Sequence, residues 1–202
     1  ARLTVRDRLG APATGTVVVG VVEPSNLNQA PYTAGDEVEV RPGREVSVAV
    51  LQNDSDPDGD DLALVSNALE PQDGVKAEVV KSRVLVHAPA AEGKYGITYV
   101  AVDTYGAKTQ GTLVVTVSAD APLQAPIARD DRVAPVQIGS GKPVVVDVRA
   151  NDEDPDGVAD ALTVTTDSPN AVAGTTGQLT VTPTPESQVI LYSVADADGQ
   201  SA

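Results

Sequence analysis

One short acidic segment occurs twice in this chain. It reads Asn-Asp-Ser-Asp-Pro-Asp-Gly from Asn53 to Gly59 and Asn-Asp-Glu-Asp-Pro-Asp-Gly from Asn151 to Gly157. Six of its seven positions are identical, and the copies lie 151 − 53 = 98 residues apart. A period of that length suits a small β domain and not a helical repeat, so the chain reads as a tandem array. Each copy sets three Asp at alternate positions before a Gly, an arrangement that wraps oxygen ligands around a hard cation.

The composition supports β structure. Hydrophobic residues make up 41% of 202 residues, with no Phe, Trp, Met or Cys. Val- and Thr-rich runs favour strands, and 17 Gly and 15 Pro supply the punctuation between them. Alternation predicts strands over 36–40, 45–51, 62–67, 75–80, 83–88, 97–103 and 112–117. Seven short strands at this spacing indicate an all-β fold, an immunoglobulin-like antiparallel β-sandwich. The order recurs over 132–138, 144–149, 162–166, 178–182 and 189–196, after which the sequence stops before a seventh strand.

The N-terminal segment supplies the complementary text. Leu3–Asp7 matches Tyr99–Asp103, and Gly15–Val19 matches Gly111–Val115, both at an offset of 103 − 7 = 96 residues. The expected organisation is therefore residues 1–24 as the last two strands of a preceding repeat, 25–122 as a complete repeat, and 123–202 as a repeat lacking its final strand. Incomplete sandwiches expose an apolar face and an unpaired edge. Pairing of residues 14–22 of another copy with the edge beside Val189–Val194 is one expected way to cover them. The linkers 23–31 and 120–126 carry proline at both ends and read as short and stiff.

The formal net charge is −15, with 29 Asp and Glu against 14 Lys and Arg. That excludes binding to nucleic-acid phosphates, which needs clustered cations. No apolar run is long enough to span a membrane. His87 is the only histidine. It sits on the polar side of an alternating strand, and with no Cys in the chain neither a catalytic triad nor a zinc site can be assembled in both repeats. Thr112–Val117 and Val17–Val22 hold no Asn, so no Lys–Asn cross-link is expected. Tyr99 and Tyr192 read as core residues near a tyrosine corner.

The candidate sites are calcium sites. In the first repeat the ligands are Asp54, Asp56 and Asp58 of the loop and Asp103, which opens the turn after the sixth strand. In the second they are Asp152, Asp154, Asp156 and Asp196, joined by Asp120 of the linker and Asp131 just after it. Neither loop is an EF-hand, because position twelve is Val65 or Thr163 and the flanks are strands.

The segments Val50–Asp60, Tyr99–Gly106 and Gly111–Val117, with Ala128–Asp131 and Tyr192–Asp196 in the second repeat, resemble bacterial tandem immunoglobulin-like and cadherin-like repeats. The likeness is greatest to the long surface proteins of actinobacteria. The resemblance implies a non-catalytic, extracellular stalk of the cell surface, with neighbouring repeats as partners and calcium at the junctions. Two departures stand out. The second loop has Val158-Ala159-Asp160 where the first has Asp60-Asp61, and only Asp120 represents the acidic linker of a cadherin. An adhesin binding a protein or glycan, or an accessory module of a secreted enzyme, are the other roles that fit such a chain.

Overall fold

The computed structural model of the chain describes residues 2–6, 12–16, 27–134 and 141–202. Nearly every element is a strand, interrupted only by short 3-10 turns. Among the described residues no helix is long and apolar enough to cross a membrane.

The first module holds eight strands. They are β3 (Asp36–Val40), β4 (Glu45–Val48), β5 (Ala63–Leu64), β6 (Glu70–Pro71), β7 (Lys76–Val80), β8 (Arg83–His87), β9 (Gly93–Val102) and β10 (Lys108–Val117). One sheet runs β3-β10-β9-β5, with β6 also on β9, and the other runs β4-β8-β7. β3 and β10 are parallel, while every other pair in the module is antiparallel. The alternating valines explain the layering, because period-two spacing sends every second side chain to one face. Val84 and Val86 of β8 meet Ile97, Tyr99, Leu113 and Val115 of β9 and β10 in a core shielded from solvent.

Alternation predicted one strand over 45–51. The chain instead leaves β4 at Val48 and makes a 3-10 turn over Val50–Gln52. Val50 is fully buried, so its apolar side chain keeps the period-two signal alive across a bend. The backbone there bonds locally, Gln52 N–H to Ala49 O at 3.0 Å and Asp54 N–H to Leu51 O at 3.3 Å. The short β6 was not foreseen, since two residues carry no periodicity.

The second module repeats the plan with shorter elements. They are β11 (Val144–Asp147), β12 (Thr163–Thr165), β13 (Ala171–Ala173), β14 (Gln178–Val181) and β15 (Ser193–Ala195). The sheet β11-β14-β13 corresponds to β4-β8-β7, and the pair β12-β15 corresponds to β5-β9. A 3-10 turn over Val148–Ala150 again follows the first strand of the sheet, where sequence had placed a strand to Arg149. The core is smaller, centred on Val148, Leu162, Val164, Leu179 and Val194. Part of the strand expected over 132–138 lies outside the described residues, and 132–134 are not in a strand.

At the N-terminus, β1 (Arg2–Arg6) and β2 (Pro12–Thr16) form an antiparallel pair. Leu3 faces Gly15 there, as Tyr99 faces Gly111 in the first module. Residues 17–26, and with them most of the first linker, lie outside the described residues.

The two modules touch. The edge of β4 offers the Ser47 N–H, which donates to Gly157 O at 2.9 Å in the second acidic loop. Lys81 reaches Asp160 at 3.1 Å, and Arg44 pairs with Asp198.

Candidate metal centre

The acidic loops sit at the pole of each module where the incoming chain arrives, and their first and third carboxylates hold that chain. In the first module Asp54 Oδ1 accepts the Ala34 N–H at 2.8 Å, and Asp58 Oδ2 accepts the Gln29 N–H at 2.7 Å. Tyr32 and Ser55 exchange backbone bonds in an antiparallel bridge. The second module repeats each contact. Asp152 Oδ1 takes the Arg129 N–H at 2.7 Å, Asp156 Oδ2 takes the Gln124 N–H at 3.2 Å, and Ile127 bridges Glu153. Charge-assisted bonds of this kind are stronger than neutral ones, and they leave the linker little freedom next to the module.

A buried tyrosine ties the loop to the sandwich. Tyr99, fully shielded, places its hydroxyl 3.0 Å from both Asp36 Oδ2 and Asp54 Oδ2. Tyr192 does the same less tightly, donating to Arg129 O at 2.8 Å with Asp131 Oδ2 at 3.2 Å and Asp152 Oδ1 at 3.3 Å. Burial and then the adjoining carboxylates push both phenols well above the ordinary tyrosine range. Burial also raises Asp36 and Asp131, against the lowering effect of the tyrosine bond. Sequence reading placed these tyrosines in the core. It did not show that their hydroxyls anchor the loops, although the paired recurrence of Asp36 with Tyr99 and of Asp131 with Tyr192 carried the signal.

The residues singled out by sequence differ in what they bind. Asp54, Asp58, Asp152 and Asp156 bind backbone of the incoming segment, and Asp131 binds Tyr192. Asp103 and Asp196 organise their own turns. Asp103 Oδ1 accepts the N–H groups of Tyr105 and Ala107, both at 2.9 Å, and Asp196 Oδ1 accepts those of Asp198 and Gln200, both at 2.8 Å. Asp103 is buried, which opposes ionisation. Its bonds from Asn28 and from the backbone of Ala107, Gly106 and Tyr105 outweigh that and lower it. Asp120 is exposed, with its N–H on Ser118 Oγ at 3.2 Å.

Convergence on a cation position occurs in the first loop. Carboxylate oxygens of Asp56, Asp58 and Asp60 lie within 4.8 Å of one another. Asp56 Oδ1 accepts the Asp58 N–H at 2.8 Å, while Asp56 Oδ2 and Asp60 Oδ2 are buried without a hydrogen-bond partner. Burial, then Asp56, Asp103, Asp58 and Asp61, raises Asp60 above the usual carboxylate range. Buried lone pairs with no donor and mutually repelling charges are what a divalent ion neutralises. Gly59 turns this loop at φ 83, in the left-handed region. Asp60 was not among the ligands expected from the three-Asp spacing, because it follows the glycine.

The second loop differs at the corresponding place, where Val158 stands for Asp60. Asp152 Oδ2 and Asp154 Oδ1 are buried without partners, and a Cβ on Gly157 would overlap the Asp154 carboxylate. Burial first, then the charges of Asp156 and Asp196, pushes Asp154 up to about 6. The folded module thus holds this proton more tightly than the unfolded chain, whose Asp titrates near 3.8. In chelator, the contribution of Asp154 to the stability of the second module is therefore full below about pH 4 and is lost as the pH rises through 6. The loss is about 1–2 kcal/mol after allowance for water at the loop. Asp154→Asn flattens that slope in a series of urea midpoints; an unchanged slope contradicts the assignment.

Two β-sandwich modules in tandem, each with its acidic loop bonded to the incoming segment, define the class. The chain belongs to the bacterial Ig domain family, whose sequence model matches residues 28–116 and 123–202. No curated protein matches it. Solved structures similar to it include Drosophila N-cadherin EC1-4, at 12% identity over 87% of this chain and 48% of that one with a TM-score of 0.35. A protocadherin gammaB7 EC3-6 cis-dimer structure is similar at 16% identity over 100% and 55%, with a TM-score of 0.31. A nucleoside hydrolase-related hypothetical protein from Saccharophagus degradans shows 18% identity over 45% and 26%, with a TM-score of 0.32. The chain spans between 26% and 55% of the lengths of these proteins.

Proposed function

We propose that this chain is a non-catalytic structural segment of an extracellular bacterial surface protein, and that its first acidic loop takes a calcium ion that stiffens the junction. The observation that carries the reading is the convergence of Asp56, Asp58 and Asp60, with two buried and partnerless oxygens, in the loop that also binds the incoming linker. Calcium is favoured by the chemistry of the donors, since hard carboxylate oxygens suit that ion better than a transition metal. Asp56, Asp58 and Asp60 hold the ion, and Asp58 links it to the backbone of Gln29. The ion relieves the repulsion within the loop and fixes the linker against the module.

The polarity of the rest of the molecule agrees with a spacer. His87 lies half-exposed beside Glu45, its Nδ1 2.9 Å from Glu45 Oε1, on the outer face of the β4-β8-β7 sheet. In both modules the segment leading into the sandwich is tied to the acidic loop by the same set of bonds, which suits a stiff spacer.

Extracellular modules bind calcium with dissociation constants on the order of 10⁻⁴–10⁻³ M. Calorimetric titration is expected to find one such site in this chain. Asp56→Asn with Asp60→Asn abolishes it, while Asp154→Asn leaves it in place. Heat of binding that survives the first pair, or disappears with Asp154→Asn, places the ion elsewhere.

A further inference from the structure

The second acidic loop seats against the side of the first module. β3 and β4 are the outer strands of the two sheets there, so the sandwich has an open seam between them. A crevice of about 340 Å³ follows that seam. Val38 and Val48 line it from the first module, and Glu153 and Pro155 close it from the second. The Ser47 N–H, on the outer side of β4, donates to Gly157 O at 2.9 Å. Strand edges with unanswered N–H groups need a cover, and the loop supplies one.

Charge supplies the rest of the contact. Arg44 pairs with Asp198, and Lys81 Nζ lies 3.1 Å from Asp160. These four side chains keep between 23% and 71% of their surface in solvent, so each pair holds weakly. Other charges oppose closure. Asp36 and Glu37 share the crevice with Glu153 and Asp154. Arg83 is the cation among the lining residues, and it is already bonded to Ser47, Nε to Oγ at 2.9 Å and Nη2 to O at 2.7 Å. Like charges gathered in a partly dry crevice repel.

The connection between the modules allows a swing. Ala121 is buried on the first module, and Arg41 Nε donates to its carbonyl at 3.0 Å. The Gln124 N–H is held by Asp156 of the second module at 3.2 Å. Between these anchors stand Pro122 and Leu123, both exposed and without a hydrogen bond among the described residues. A few residues suffice to absorb a hinge motion. Contacts between domains that are small and polar leave relative motion as the normal state.

We propose that the second acidic loop is a reversible latch. The second module turns about Pro122-Leu123 between a docked form, in which residues 153–157 cap the β3–β4 seam, and an open, longer form. The Arg44–Asp198 and Lys81–Asp160 pairs set the balance, and the spacer changes length without either module unfolding. Asp56, Asp58 and Asp60 do not line the crevice, so the latch is independent of an ion at the first loop.

The chain has no cysteine, so Thr112→Cys with Val172→Cys places one spin label on each module at an exposed position. Pulsed electron resonance on the whole chain then reads the distances between them. The parent is expected to show one main, narrow population, the docked form. Arg44→Glu with Lys81→Glu moves that population to longer distances, lowering the ratio of docked to open roughly tenfold. Small-angle scattering shows the matching rise in radius of gyration. Adding Asp160→Lys and Asp198→Arg restores the parent distribution, which a general loss of stability would not do. A broad or long distribution in the parent overturns the proposal. So does a distribution that charge reversal leaves unchanged, or one that the compensating pair fails to restore.

Discussion

Gly111→Val unfolds the first module at a temperature on the order of 15 °C lower than the parent, while Gly35→Ala leaves it unchanged. The added side chain at 111 meets the Tyr99 ring, and that ring cannot retreat. It is fully buried among Ile97, Leu113 and Val115, and its hydroxyl is fixed by Asp36 and Asp54. Overpacking of a fixed core costs about 3 kcal/mol, a large share of the roughly 5–15 kcal/mol that holds a domain of this size together. For about 90 residues each kcal/mol is worth roughly 4–8 °C. Gly35 has open space around its would-be Cβ and an ordinary φ, so alanine fits there. Melting followed by circular dichroism decides the matter. Parent-like melting of Gly111→Val would mean that the Tyr99 ring is free to move out of the way.

Tyr99→Phe is the second large effect. The ring stays and the core volume is kept, but Asp36 and Asp54 lose their shared donor. Bonds to charged groups contribute about 1.5–3 kcal/mol, and a carboxylate left short of donors in a half-buried position bears the full loss. Asp54 retains the Ala34 N–H, which keeps the loop attached and holds the cost near 2 kcal/mol rather than higher. Tyr192→Phe costs less, because its hydroxyl bonds mainly to the Arg129 carbonyl and the two carboxylates lie 3.2 and 3.3 Å away. Urea midpoints measure both. Equal effects for the two variants would contradict the view that the first loop is the more tightly built one.

Much of the fold was legible because the core is built from alternating valine. β3, β8 and β10 follow directly from that alternation, and duplication of the acidic loop gave the period. Elements with few residues were not legible. β6 and β13 are two and three residues long, and Val50 and Val148 continue the apolar period through bends. The candidate site was half legible. Three-Asp spacing located the loops, but spacing alone does not say which carboxylate oxygens face backbone donors and which face one another. Asp54 and Asp58 turn to the incoming segment, and Asp60, beyond the glycine, folds back towards Asp56. Val158 at the corresponding place is the sign in the sequence that the two loops differ: the first gathers Asp56, Asp58 and Asp60, and the second has no carboxylate at the place of Asp60.

We propose that calcium at the first loop stiffens the module that carries it. Thermal unfolding of the parent chain in millimolar calcium and in chelator tests it most directly. Binding at 10⁻⁴–10⁻³ M adds roughly 0.5–1.5 kcal/mol at that concentration. The first module should therefore melt several degrees higher in calcium, and the difference should vanish in the Asp56→Asn, Asp60→Asn protein. Superimposable melting curves for the parent chain in calcium and in chelator would contradict it.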